Sequence, residues 1–178
     1  MWRGRYLLAA PLLLLPVVHA QQKYGVGRAP SEAEIRALGV TVAPDGAGLP
    51  AGSGTASQGR TLFGERCAKC HGEKAEGGVG PVLVGGQGTL ATSKPIKTVG
   101  SFWPHATSLW NYVNRAMPFN QPGSLSPSQV YSAVAYLLFI NGIVDETHVL
   151  NAKTLPKVRM PNRDGFVPDP RPDVGGRK

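Results

Sequence analysis

Cysteine is nearly absent from this chain, with two in 178 residues, and both fall within one short stretch as Cys67 and Cys70. Structural zinc needs four ligands from paired Cys or His clusters. Beyond Cys67, Cys70 and His71 only His105 and His148 follow, which argues against it. Methionine is almost as scarce, limited to Met1, Met117 and Met160. Acidic residues number 11 against 19 Lys and Arg, giving a net charge of +8. The basic residues are scattered, so the clustered patch that marks a nucleic-acid binder is missing and no nucleic-acid partner is expected. No apolar run reaches the roughly 20 residues of a membrane span, so no membrane insertion is expected. There is no internal repeat, which points to one domain and one site.

What is present begins with an export signal over residues 1–20. A basic opening at Arg3 and Arg5 precedes an apolar run from Tyr6 to Val18, interrupted by Pro11 and Pro16, and Val18-His19-Ala20 fits a small-x-small cleavage site. Cleavage near Ala20 removes two arginines, so the charge of the mature chain falls to +6. The expected location is the periplasm. An oxidising compartment tends to draw cysteines into disulfides, so the use of this pair must be explained.

Cys67-Ala68-Lys69-Cys70-His71 explains it, because C-x-x-C-H is the pattern of covalent c-type haem attachment. Two thiols three positions apart can each form a thioether to a haem vinyl group, and the adjacent His71 can coordinate iron from one face. Both cysteines are consumed and no free thiol remains.

Around this motif the chain divides into four parts. Residues 21–55 form an arm rich in Gly, Ala and Pro, with one helical signal in the capping box Ser31-Glu32-Ala33-Glu34 and a stop at Gly39. Residues 56–142 form the haem domain. Its first helix starts near Ala56 and runs into the motif, with Leu62, Phe63 and Cys67 at helical spacing. Gly72 to Gly100 reads as irregular loop wrapping a cofactor. A second helix spans Thr107 to Ala116 and stops ahead of Met117-Pro118, because a residue before proline disfavours helix. Ser126-Pro127-Ser128-Gln129 opens the best-specified helix, with an apolar stripe of Val130, Val134, Leu137 and Leu138 closed by Asn141-Gly142. Residues 143–178, rich in proline, are expected to lie extended over the surface or to be partly disordered.

The sixth position of the iron decides between electron transfer and chemistry on a ligand. Met117, 46 residues after His71 in a proline-stiffened loop, is the first candidate. Met160, His105 and an open site are the alternatives, and gap-filling in the core is the ordinary role of a methionine. Pro81 offers a carbonyl and no N–H, so it can accept the His71 Nδ1 proton and fix the imidazole. Trp103, Trp110, Tyr112, Phe102 and Phe119 fall where they would surround the distal side, Trp103 foremost, and exclude water from it. Lys69, Lys74, Lys94, Lys97 and Arg115 are candidates for a ring of charge around the haem edge that steers an acidic partner.

Gly59, Phe63, the motif, Gly80-Pro81, Met117-Pro118 and Tyr136 together resemble the class I c-type cytochromes. The resemblance implies an all-α fold of about four to five short helices around one covalent haem c, with Gly59 and Phe63 crossing the last helix near Tyr136. A narrower likeness, carried by Gly27–Ile35, Pro44–Gly54, Lys97–Pro104 and Leu155–Phe166, is to the cytochrome subunits of bacterial sulfite and sulfane dehydrogenases. It implies a molybdenum-cofactor sulfur-compound dehydrogenase subunit as electron donor and a downstream cytochrome or oxidase as acceptor. It also implies outer-sphere electron transfer, not catalysis, with the arm and tail as interface elements or as surface wrapping that stabilises the domain. The sulfane dehydrogenase subunits typically carry a second haem domain, whereas this chain has one C-x-x-C-H and so resembles a shorter, single-haem relative. A free-standing carrier to a terminal oxidase and a haem enzyme with a labile sixth ligand are the competing functions.

Overall fold

Thr55 starts the helix that leads to the motif, and it does so by reciprocal capping. Its hydroxyl accepts the Gln58 N–H while the Gln58 side-chain oxygen accepts the Thr55 N–H, at 3.4 and 3.0 Å. The computed structural model describes residues 27–38, 41–168 and 171. The export signal and Gly39 lie outside these residues. The helices are α1 (Glu32–Leu38), α2 (Ala56–Arg66), α3 (Ala68–His71), α4 (Ala106–Ala116) and α5 (Pro127–Ile140). The only strands among the described residues are β1 (Ser53–Gly54) and β2 (Leu150–Asn151), which pair antiparallel.

Helix α5 is the centre of the molecule. Ser126 and Gln129 cap it reciprocally and Pro127 occupies its first turn. The sequence pattern shows one apolar stripe, but every residue from Val130 to Leu138 is buried. The reason is that α2, α4, β1 and β2 all pack on it and leave no solvent face. The α2–α5 crossing is close because Gly59 has no side chain: a Cβ there would stand 1.9 Å from the Ser132 carbonyl oxygen. Beside it the Phe63 and Tyr136 rings meet with centroids 5.2 Å apart, the crossing that the cytochrome likeness implies.

Residues 143–168 do more than lie extended over the surface, and here the structure departs from the tail that the sequence pattern suggests. Leu150, Leu155, Val158 and Met160 are buried in the core, and Asn162 Nδ2 donates to the Phe102 carbonyl at 2.8 Å. Burying one large apolar side chain is worth about 1.5–3 kcal/mol, so this segment helps to hold the fold. The arm is anchored similarly: Val42 is buried and the Tyr131 hydroxyl donates to the Pro50 carbonyl at 3.0 Å. Helix α1 exposes Glu32, Ala33 and Ile35 in its first turn. Arg28 pairs with Glu34, which with the Ser31 hydrogen bonds holds the Glu34 carboxyl down at about 2.

Candidate haem site

Helix α2 ends at Cys67, whose N–H still donates to the Phe63 carbonyl, and one further turn, α3, carries the motif. Both Cys70 and His71 donate their N–H to the Cys67 carbonyl at 3.0 Å, which sets the two sulfurs and the imidazole on a single turn. Cys67 is half-buried and Cys70 exposed. Burial pushes the Cys67 thiol up to about 11. That surrounding penalises a thiolate but suits an uncharged thioether, the form that haem attachment would give it.

The chain then folds back over the imidazole. Gly77 N–H donates to the His71 carbonyl at 2.7 Å and Gly80 N–H to the Cys70 carbonyl at 2.8 Å. Gly80 presses on the ring so closely that a Cβ would lie 3.0 Å from Cε1. Pro81 follows, and its carbonyl accepts the His71 Nδ1 proton at 2.7 Å. A proton fixed on Nδ1 leaves Nε2 as the lone-pair nitrogen, the state a metal-ligating imidazole requires.

Pro81 is held in turn by a residue that the sequence reading took only for a helix stop. Leu83 N–H donates to the Ala75 carbonyl at 2.9 Å, and the Leu83 carbonyl accepts from Asn141 Nδ2 at 3.1 Å. Asn141, buried at the end of α5, also donates to the Leu137 carbonyl and accepts the Gly85 N–H. One amide thus ties the loop behind His71 to the central helix. The only sequence signal for this was a polar residue at the end of an otherwise apolar stripe.

The candidates for the other face separate clearly. Helix α4 ends at Met117, which caps it through its N–H to the Val113 carbonyl and leaves the side chain half-buried against the core. Met160 is 1 % exposed, packed into the core. His105 caps the start of α4, at the opposite end of that helix from Met117, with its Nδ1 buried and unpartnered. Trp103 is half-buried and packs on Tyr112, with centroids 5.6 Å apart. The five aromatics expected around the distal side do not form one cluster. Trp110 is wholly buried against Tyr131, Phe102 pairs with Phe166, and Phe119 is 84 % exposed. Their closeness in sequence hid this: Trp110 and Tyr112 share α4 but point to different sides, and the other three lie outside the helix.

The donor set on this turn fits haem c. Cys67 and Cys70 would hold it through thioethers and His71 through Nε2, while Gly80 leaves the room the imidazole needs. A helical fold built around such a turn defines a class I c-type cytochrome.

Comparison with known proteins agrees. Residues 54–137 match the family described as cytochrome C oxidase, cbb3-type, subunit III. A solved chain in the sulfane dehydrogenase SoxCD from Paracoccus pantotrophus is 44% identical, with a TM-score of 0.75 over 84% of this chain and 74% of that one. Among curated protein sequences none matches. The chain belongs to the cytochrome c family and is similar to the cytochrome subunit of a sulfur-compound dehydrogenase. Membership implies covalently bound haem c and a role in electron transfer, not in bond-making catalysis.

Proposed function

We propose that this chain is a periplasmic mono-haem cytochrome, exported by its N-terminal signal and cleaved near Ala20. It accepts electrons from a molybdenum-cofactor subunit that oxidises a sulfur compound and passes them to a downstream cytochrome or oxidase. The observation that carries this reading is the 44% identity to a SoxCD chain over 84% of this one, a span too long for the haem domain alone. Haem iron supplies one-electron exchange between ferric and ferrous states. His71 and Met117 would hold the iron, one through Nε2 and the other through its thioether. Pro81, by accepting the Nδ1 proton, makes His71 a more basic donor, and the Met117 thioether favours the ferrous state. Trp103 shields the site from water.

The experiment is to mix the haem-loaded protein with a sulfane dehydrogenase molybdenum subunit and a sulfur substrate and to follow the haem spectrum. Reduction that requires both subunit and substrate supports the proposal. Ready binding of carbon monoxide by the reduced protein would overturn the six-coordinate assignment. A second reading, a free-standing carrier to a terminal oxidase, draws on the match of residues 54–137 to an oxidase-subunit family. It predicts electron delivery to an oxidase without any stable complex with a dehydrogenase.

A further inference from the structure

The 44–45 loop and the 152–163 segment enclose an open basin of about 680 Å³ whose lining includes Lys153, Lys157 and Arg163. The ion pairs found among the described residues are Arg28–Glu34, Arg60–Glu146 and Arg159–Asp164, and none engages the basin's three cations. Asp45, the one acid in the lining, spends its Oδ1 on the Ala47 N–H at 2.9 Å. The cations stand on anchored backbone. Lys153 and Lys157 flank Leu155, which is fully buried, and Arg163 donates its N–H to the carbonyl of buried Met160. The floor is set firmly too, since a Cβ on Gly46 would lie 2.4 Å from Pro156 Cγ.

We infer that this basin docks an acidic segment of a partner protein. Its volume far exceeds that of a small oxoanion. All three cations are exposed and hydrated, with no buried donor of the kind a tight anion pocket needs. Pro44, Pro156 and Ala152 add an apolar floor on which the methylenes of Glu side chains can lie. The basin is also remote from Met117. Thr107, in the first turn of α4, donates to the Pro44 carbonyl, whereas Met117 follows the last turn, about 15 Å further along the helix axis at 1.5 Å per residue. The basin can therefore steer and tether a partner at a distance from Met117. This holds whichever enzyme supplies the electrons.

The test is an amide NMR titration of the full, haem-loaded protein with a hexaglutamate peptide at low ionic strength. Hexaglutamine and sodium sulfate serve as comparisons. Saturable shifts confined to residues 152–157 and 163 are expected. Lys153→Glu with Lys157→Glu should weaken binding about tenfold, since each exposed pair is worth up to about 1 kcal/mol. Arg60→Glu with Arg66→Glu, the same change of charge on the exposed face of α2, should leave it unchanged. Equal loss in both double variants would reduce the effect to diffuse attraction and overturn the inference. So would the absence of saturable shifts, or sulfate saturating the same amides at a comparable concentration, which would make the basin a small-anion site.

Discussion

Met117→Ala and Met160→Ala should fail in opposite ways if Met117 holds the iron as proposed, because Met160 is sealed in the core. Met160 is 1 % exposed and shares the core with Leu155 and Val158. Truncating a buried methionine to alanine costs about 2–5 kcal/mol through lost transfer energy and the cavity left behind. For a domain of this size that amounts to a fall in Tm of roughly 5–15 °C. The haem spectrum should not change. Met117 is only half-buried, so its truncation should cost less stability. It should instead abolish the weak near-infrared band of methionine-to-ferric-iron ligation, lower the reduction potential and admit carbon monoxide. Thermal unfolding, optical spectroscopy and potentiometry on the two variants provide the assay. Loss of the band in Met160→Ala, or its survival in Met117→Ala, would refute the assignment.

Asn141→Leu should raise the reduction potential, because a loosened Pro81 carbonyl makes His71 a weaker donor to ferric iron; an unchanged potential by voltammetry would detach Asn141 from the site. The same variant leaves the Gly85 N–H without its partner, at about 1–3 kcal/mol, while the Leu83 carbonyl keeps the Val99 N–H; a chemical denaturation curve reads that loss. Gly59→Val should prevent the α2–α5 crossing, since even a Cβ would meet the Ser132 carbonyl at 1.9 Å; the expected yield of haem-loaded protein is near zero. Truncation after Gly142 removes Leu150, Leu155, Val158 and Met160 from the core. At about 1.5–3 kcal/mol each this matches the whole stability of a typical domain, about 5–15 kcal/mol, so the truncated chain should be unfolded by circular dichroism.

Much of this was legible because its signals are local. The two reciprocal caps at Thr55–Gln58 and Ser126–Gln129 are three residues apart and set α2 and α5 close to where the pattern places them. The C-x-x-C-H turn is contiguous, and Pro81 lies close enough to His71 for a short loop to bring its carbonyl onto Nδ1. What escaped was non-local. Asn141 reaches Leu83 across 58 residues, and no spacing rule connects a helix end to a glycine-rich loop. The tail escaped for a related reason: Leu150, Leu155, Val158 and Met160 follow neither a 3.6 nor a 2.0 period, because the backbone between them turns instead of repeating. A proline-rich segment without periodicity looks like a solvated strap until the surface it covers is known. Here that surface includes β1 and the apolar helix α5, which are unfinished without it. The tail that completes the core also carries Lys153, Lys157 and Arg163 outward. Its buried residues fix the backbone from which those cations project, so partner docking depends on the same burial that stabilises the haem fold.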